Sequence, residues 1–402
     1  AAFYYLAEDW TARQILADMA GMTVNDTTNT LTTKIIFGNE KNPQSQFMYR
    51  DMSKPVKDLP KDVYDFLVET FPEMMSKPHG PEKSLLPYFP GYKYEFGKST
   101  YKDINADNPD PERRVVGEGG MVYSEPGIYG NVALLDIMSQ HPHSAMAECI
   151  FGAKFTRAFR DIVYGRVNIK HEAWDIVNSM LDGRLTPYIQ KVIDGEMTAK
   201  GLANALKTAI NSVYGLTSAS FDNAFRDTRN IDNIVAKRGA LFMIDLKEFV
   251  QGKGFTVAHI KTDSIKIPDA TLDIIDAVME FGKRYGYTFE HEATYERMCL
   301  VNKSVYIAKY ATPEQCNDLY GYVPGDCKGH GGEWTATGTQ FAVPYVFKTL
   351  FTKEDIVFED LCQTLSVAKG DLQLDFNENL LDVSGLEKDR AKLVKRLLSD
   401  ET

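Results

Sequence analysis

Two aspartates occupy positions from which a carboxylate could hold a divalent cation. Asp136 follows the apolar, strand-like segment Asn131–Leu135, and a polar turn containing Pro142 comes directly after it. Asp263 lies in Lys261-Thr-Asp-Ser264, between two alternating segments typical of a tight hairpin. A carboxylate beside free backbone N–H groups can bind a cation while the amides bind phosphate oxygens. Because aspartate is common in turns, each position taken alone favours an ordinary turn residue.

The segment Leu206–Gly215 could bind a triphosphate if it forms a helix. Lys207, Asn211 and Tyr214 would then share one helical face, and Lys200, seven residues before Lys207, extends it. Lysines beside an aromatic ring suit the binding of a triphosphate and stacking near a base. Taken alone, the pattern favours a solvated basic face that ends in a Tyr-Gly helix stop.

A third group of residues, Cys316, Cys327 and His330, lies among glycines and could ligate zinc. There is no C-x-x-C pair and no clear fourth ligand, which disfavours a zinc site. The chain has five cysteines, and this small, odd number indicates a reducing compartment rather than a disulfide framework.

Hydrophobic spacing predicts the elements that must position these residues. The predicted helices are 3–19, 155–214 with breaks near Gly183 and Gly195, 272–285, and the charged tail from Lys353. The predicted strands are 31–37, 120–123, 131–135, 255–267, and segments near 287–289 and 299–309. Strands on both sides of a long helical insertion predict a mixed sheet domain that a helical one interrupts.

The composition excludes some classes of protein. The 402 residues are 44% apolar and 25% charged, which argues against disorder, and no apolar run is long enough to span a membrane. The formal net charge of −11 argues against a polyanionic partner. Between Lys154 and Lys207, however, nine basic residues outnumber six acidic ones, and phosphate binding depends on where positive charge lies.

In their order along the chain, the three segments resemble motifs A, B and C of the family B DNA polymerases. Those motifs read D-x-x-S-L-Y-P-S, K-x-x-x-N-S-x-Y-G and D-T-D-S. The chain has Asp136-Ile-Met-Ser139-Gln-His-Pro142-His, Lys207-x-x-x-Asn211-Ser212-Val-Tyr214-Gly215 and Lys261-Thr262-Asp263-Ser264. The match to motif B is highly specific, motif C is short but well placed, and motif A is the loosest.

Further stretches extend the resemblance over most of the chain. The enzymes it resembles are family B polymerases of the bacteriophage type. Gly117-Glu-Gly119-Gly120 is similar to a template-contacting loop, and Lys303-Ser-Val-Tyr306 to the element that grips the primer end. The stretch from Tyr5 to Asp9 resembles the last exonuclease motif, Y-x-x-x-D, and the segment from Trp334 is phage-like.

The resemblance implies an α+β fold of the right-hand polymerase type, with a palm of antiparallel sheet plus helices and with helical fingers and thumb. It divides the chain into an exonuclease remnant (1–40), a connecting region (41–90), the first part of the palm (91–150), the fingers (151–215), the second part of the palm (216–295) and the thumb (296–402). A virus-encoded enzyme would work in the cytoplasm of an infected bacterial host and would not be secreted.

The implied activity is DNA-directed DNA polymerisation, a nucleotidyl transfer from dNTPs to a primer–template. Asp136 and Asp263 would be catalytic and, with Ile137, would hold two Mg²⁺ ions, for which Mn²⁺ can substitute. The implied nucleotide-binding residues are Ser139, His141, Lys200, Lys207, Asn211 and Tyr214. The implied DNA-binding residues are Gly119, Gly120, Thr262, Ser264, Lys303 and Tyr306.

The chain departs from the family pattern at three places. Lys261 stands where most relatives carry the first aspartate of motif C. We expect activity to survive this change, with one less negative charge near the metals. His141 replaces the bulky tyrosine that blocks a ribose 2′-hydroxyl, and we expect it still to act as the gate. Only Tyr5 and Asp9 of the exonuclease carboxylate motifs are present, so we expect no self-sufficient proofreading, and a separate exonuclease polypeptide could complete a split enzyme.

Two other functions stay open on the sequence alone. One is a catalytically impaired, polymerase-like DNA-binding subunit of a split replicase, against which the joint presence of Asp136, Lys207 and Asp263 argues. The other is a metal-dependent phosphohydrolase that uses the same carboxylates without a template, in which the face carrying Lys207 and Tyr214 has no evident use.

Overall fold

A computed structural model describes residues 2–47, 59–76, 92–95, 98–101, 120–219, 221–227, 234–337, 362–366 and 392–397. Its helices are α1 (Ala2–Ala20), α2 (Thr28–Phe37), α3 (Lys61–Thr70), α4 (Pro72–Ser76), α5 (Gln140–Ala147), α6 (Gly152–Lys170), α7 (Trp174–Val177), α8 (Thr186–Ile193), α9 (Ala199–Ser218), α10 (Ile234–Gly252), α11 (Leu272–Lys283), α12 (Pro313–Tyr320) and α13 (Gly325–His330). Its strands are β1 (Tyr92–Glu95), β2 (Lys98–Tyr101), β3 (Val122–Ser124), β4 (Gly127–Ile137), β5 (His259–Lys261), β6 (Ser264–Ile267), β7 (Phe289–Asn302), β8 (Val305–Tyr310), β9 (Trp334–Thr337), β10 (Cys362–Ser366) and β11 (Lys392–Leu397).

A seven-stranded sheet lies at the centre of the described residues, in the order β3-β5-β6-β4-β7-β8-β9. Every neighbouring pair runs antiparallel. Because successive side chains of a strand point to opposite faces, β4 supplies two cores. Ala133 and Leu135 join the larger core, which the helices cover, whereas Val132 and Leu134 join a smaller core on the other face. This mixture of helices and antiparallel sheet agrees with the predicted α+β class.

The helical insertion after β4 is confirmed. Thr198 begins α9 by accepting a hydrogen bond from the N–H of Gly201 through its side chain, at 3.0 Å. The apolar face of α9 packs against α6, α1 and α2. The predicted breaks fall at Gly183 and Gly195, where φ is +78° and +77°, values that favour glycine. No helix among the described residues has the length and apolar character needed to cross a bilayer.

The strand predicted at residues 31–37 is wrong, because this segment lies in α2. Thr27 is the N-cap of α2, and its side chain accepts a hydrogen bond from the N–H of Thr30. Leu31 and Ile35, one helical turn apart, are both buried against the neighbouring helices. Tertiary burial at a helical spacing therefore outweighs the β-branched composition of the segment.

The C-terminal region contains more sheet than its composition predicts. Strand β7 runs without interruption from Phe289 to Asn302, so the predicted palm–thumb boundary at 295/296 falls inside a strand. Strands β8 and β9 continue the same sheet beyond that boundary. The tail predicted as helical is described only at β10 and β11, which pair as antiparallel strands, so the prediction is wrong there. Pairing between distant segments has overridden the helix propensity of lysine, leucine and arginine.

Candidate active site

Two rows of residues cross four strands on the face of the sheet that carries the smaller core. The first row is Lys261, Ser264, Asp136 and Glu290, on β5, β6, β4 and β7 in turn. The second row is His259, Lys266, Leu134 and Ala293 on the same strands. Directly opposed residues of antiparallel strands point to the same face, so both rows share one surface.

The ends of β4 and of the β5–β6 hairpin bring Asp136 and Asp263 to the same edge of this surface. Asp136 lies opposite Ser264, and the N–H of Ile137 donates to the carbonyl oxygen of Asp263 at 2.9 Å. Burial first, and the Asp263 carboxylate second, raise the pKa of Asp136 to about 7. Burial also raises the pKa of Asp263, against the opposing effect of His141 and two lysines. The two carboxylates therefore interact although they come from distant segments.

The hairpin turn that presents Asp263 is held from two sides. Thr262 has φ of +57°, an unusual value for a β-branched residue, and its N–H donates to the carbonyl of Met121 at 2.9 Å. The buried side chain of Gln140 donates through Nε2 to the carbonyl of Thr262 at 3.0 Å. Gly120 lies against the turn with φ of +124°, and a Cβ there would lie 3.1 Å from Cγ2 of Thr262. A side chain at this position would be strained by the positive φ and crowded against Thr262, which favours glycine.

Helix α5 follows Asp136 and carries His141 toward α9. Ser139 precedes the helix in the left-handed conformation, with φ of +58°. One residue into the helix, the imidazole of His141 stacks on the ring of Tyr214, with centroids 4.0 Å apart and an angle of 30° between planes. His141 also lowers the pKa of Asp263 electrostatically, so it is close to that carboxylate as well as to α9. Residues of three segments that lie far apart in the sequence are thus neighbours in space.

The two lysines of the predicted nucleotide site, Lys200 and Lys207, lie along the exposed side of α9. Lys207 and Asn211 are exposed, and Lys207 precedes Tyr214 by two helical turns, about 10 Å along the axis. Lys200 is exposed in the first turn of α9, about 21 Å from Tyr214 along the same axis. The structure therefore groups Lys207 with the stacked rings more closely than it does Lys200.

The turn between β7 and β8 folds over the second row of the sheet. The carbonyl oxygen of Lys303 accepts a hydrogen bond from Nε2 of His259 at 3.0 Å. The ring of Tyr306 covers Lys266, whose Nζ lies 5.1 Å from the ring centroid. The side chain of Lys303 is exposed. In the first row, Ser264 is buried, and its hydroxyl donates to the carbonyl oxygen of Lys261 at 3.3 Å.

The donor set at the sheet edge fits a divalent cation of the Mg²⁺ kind. Such an ion is bound through one or two carboxylates and completes its shell with water and substrate phosphates. Asp136 and Asp263 provide two partly buried carboxylates whose mutual repulsion a cation would relieve. Within the described residues, no three histidine, cysteine, aspartate or glutamate side chains converge as a closed metal cage.

The described residues do not assemble the zinc ligands that the sequence suggested. Cys327 is buried and exchanges hydrogen bonds with the backbone of Thr294. His330 is exposed, and its Nδ1 pairs with the carboxylate of Glu333 at 2.9 Å. Cys316 is also buried, and burial, with the neighbouring Cys327 thiol, raises its pKa to about 12, which opposes the thiolate form that binds zinc.

Some predicted residues lie beyond what the structure describes, and sequence reasoning missed others. Gly119 lies outside the described residues, and Tyr5 and Asp9 lie in the first turns of α1, where only the backbone is described. Sequence reasoning missed Gln140, which is buried beside the β5–β6 hairpin, and Lys266, which is buried on β6. Lys266 could have been found from the strand pattern, because it follows Ser264 by two residues in a strand and therefore lies on the same face of the sheet. No comparable sequence pattern points to Gln140.

Comparison with models of known protein families finds no match, and comparison with curated proteins finds none either. Solved structures similar to the chain include the family B DNA polymerase from the hyperthermophilic archaeon Pyrobaculum calidifontis, with a TM-score of 0.37 and 16% sequence identity. The similarity covers 67% of this chain and 39% of that polymerase, so the chain spans about two-fifths of its length. What the chain does is therefore inferred from the residues of the site.

Proposed function

We propose that this chain is a template-directed DNA polymerase that extends a primer with dNTPs and releases pyrophosphate. The observation that supports the proposal is the meeting of three distant segments. Strand β4 carries Asp136, the β5–β6 turn carries Asp263, and α9 carries Tyr214 against His141. Two carboxylates beside stacked rings and a lysine-bearing helix are the parts that nucleotidyl transfer requires.

In this proposal, Asp136, Asp263 and the backbone of Ile137 hold two Mg²⁺ ions. When bound, the ions lower the pKa of the primer 3′-hydroxyl and neutralise charge on the triphosphate, and Mn²⁺ can substitute. The hydroxyl oxygen attacks the α-phosphate, and pyrophosphate leaves. Lys207 neutralises charge that develops on the triphosphate, whereas Lys200 is distant and acts only at long range.

The stacked pair of His141 and Tyr214 forms a platform beside the carboxylates. In the proposal, Tyr214 and Asn211 line the floor beneath the incoming base pair. His141 lies next to the sugar and, by its bulk, rejects a ribose 2′-hydroxyl. The N–H groups of Ile137 and Met138 are paired with the carbonyls of Asp263 and Thr288, so the terminal phosphates would be held by Ser139 and the backbone N–H groups that begin α5.

Primer–template DNA would lie beside the first row of the sheet and against the β7–β8 turn that covers the second row. Its proposed contacts are Gly119, Gly120, Thr262, Ser264, Lys303 and Tyr306. The basic segment 154–207 would contribute the phosphate contacts that an overall charge of −11 does not supply, so binding should weaken steeply with salt.

The proposed organisation is that of a right hand, with the sheet as palm and residues 151–215 as fingers. The palm then extends beyond residue 295, because β7, β8 and β9 belong to one sheet. We further propose a role in phage replication in the cytoplasm of a bacterial host, with residues 1–40 as an exonuclease remnant and a separate exonuclease polypeptide as partner.

A primer-extension assay with the Asp263→Asn variant tests the proposal. The purified chain should extend a primer only when template, dNTPs and Mg²⁺ are all present. Asp263→Asn should abolish extension, because it removes a metal-binding carboxylate, while primer–template affinity stays within about twofold. Asp318→Asn, on the exposed side of α12, is the matched control and should extend normally.

The same assay separates the competing functions. Extension by Asp263→Asn would contradict the metal assignment. Binding of primer–template without any extension by the wild-type chain would indicate a DNA-binding subunit instead. Release of phosphate from dNTPs without a template would indicate a phosphohydrolase.

A further inference from the structure

A lysine is buried within the sheet surface that carries the candidate active site. Lys266 is only 3% exposed and lies on β6, two residues from Ser264 and on the same face. Its cross-strand neighbours in the second row are His259 and Leu134. Lysine is almost never this buried without compensating charge, so the surroundings of Lys266 require an explanation.

The direct contacts of Lys266 supply little negative charge. Its Nζ donates to Nδ1 of His259 at 3.3 Å, and Nε2 of His259 donates to the carbonyl of Lys303 at 3.0 Å. The imidazole is therefore neutral, and burial holds its pKa at about 4. The second neighbour is the face of the Tyr306 ring, 5.1 Å away. An imidazole and an aromatic face orient an ammonium group but do not neutralise it.

The compensating charge comes from the carboxylates of the candidate active site. Asp136 lies opposite Ser264 and is thus the diagonal neighbour of Lys266, a separation of about 7–8 Å in a paired sheet. Burial and Lys261 lower the pKa of Lys266 to about 8, and Asp136, Glu292 and Asp263 oppose that shift. With a pKa of about 8, Lys266 stays protonated at neutral pH, within electrostatic reach of the carboxylates of Asp136, Glu292 and Asp263.

We propose that Lys266 is the resident counter-ion of Asp136 and Asp263 and sets their affinity for divalent cations. It compensates the two carboxylates before a cation binds, so the bound cation must share them with a fixed positive charge. This inference rests on the proposed function to the extent that Asp136 and Asp263 are the metal ligands. The His259 and Tyr306 contacts make Lys266 a positioned group rather than a mobile one.

Binding of Mn²⁺ to the full chain in the absence of nucleotide and DNA tests this role. Lys266→Met keeps the length and most of the volume of the side chain but removes its charge, so Mn²⁺ should bind at least about tenfold more tightly. Lys41→Met, at an exposed lysine between α2 and α3 that lies outside the candidate site and the basic segment, is the matched control and should leave the affinity unchanged. The readout is the free Mn²⁺ signal in electron paramagnetic resonance.

The outcomes distinguish this inference from the proposed function. If Asp263→Asn weakens Mn²⁺ binding but Lys266→Met leaves it unchanged or weaker, the counter-ion role is wrong and the metal site stands. If Asp263→Asn has no effect on Mn²⁺ binding, the metal assignment fails, and the counter-ion role fails with it. If Lys266→Met unfolds in metal-free buffer, millimolar Mn²⁺ should restore its thermal transition, and absence of that rescue would overturn the role.

Discussion

Replacing Glu148 by glutamine probes how the helix that carries His141 is anchored. Glu148 directly follows α5, and its Oε1 accepts a hydrogen bond from Nε of Arg238 on α10 at 2.9 Å. Both side chains are buried, at 0% and 1% exposure. Arg238 also donates to the carbonyl of Tyr285 at 2.6 Å and lies over the Tyr287 ring, 5.0 Å from its centroid. The pair thus fastens α5 to α10 and to the segment before β7.

The expected loss of stability follows from the burial of this pair. Removing one partner of a buried ion pair leaves the other charge uncompensated and costs about 3–5 kcal/mol. Glutamine keeps an acceptor near Arg238, and the Tyr285 carbonyl keeps one hydrogen bond, so Glu148→Gln should cost about 3 kcal/mol. Glu148→Ala, which also removes the acceptor and leaves a cavity, should cost about 4–5 kcal/mol.

Guanidinium denaturation followed by circular dichroism measures both losses. The control is Asp65→Asn, which breaks the exposed Lys61–Asp65 pair on α3 and should cost less than about 0.5 kcal/mol. The double variant Glu148→Leu/Arg238→Met removes both charges and should recover most of the stability that Glu148→Gln loses. Equal losses for Glu148→Gln and Asp65→Asn would refute the argument that burial governs the energy of this pair.

The remaining predictions concern the candidate active site. Burial first, and the Asp263 carboxylate second, raise the pKa of Asp136 from 3.8 to about 7. The folded protein therefore holds this proton more tightly than the unfolded chain, so its free energy of unfolding falls as the pH rises from about 4 through 7. Asp136→Asn should therefore be about 2 kcal/mol more stable than wild type at pH 8 in EDTA, after allowance for solvent screening, and equally stable at pH 3.5. Equal urea midpoints at pH 8 would contradict this. Gln140→Leu removes the donor to Thr262, and we expect kcat for primer extension to fall about tenfold with KM for dNTP nearly unchanged. A change confined to KM would show that Gln140 does not position the turn. His141→Ala should increase incorporation of ribonucleotides relative to deoxynucleotides, and an unchanged ratio in competition kinetics would exclude His141 as the gate.

Features set by neighbouring residues could be predicted from the sequence. The amphipathic face of α9 and the hairpin around Thr262 and Asp263 are local patterns, and both appear in the structure. The helix at 28–37 and the strands β10 and β11 could not be predicted from composition. At those segments, capping, burial or pairing with distant residues decides between helix and strand, and none of these is visible in a short window.

The residue types available for chemistry, and the order of Asp136, Lys207 and Asp263 along the chain, can be read directly from the sequence. Which of these residues lie close together depends on the packing of distant segments. Antiparallel pairing of β4 with β6 brings Asp136 beside the hairpin, and packing of α5 near α9 stacks His141 on Tyr214. Tertiary structure also decided the burial of Lys266, because its pKa and partners depend on strands and a turn that lie far apart in the chain. Register and burial are sums over many distant contacts, so no local pattern specifies them.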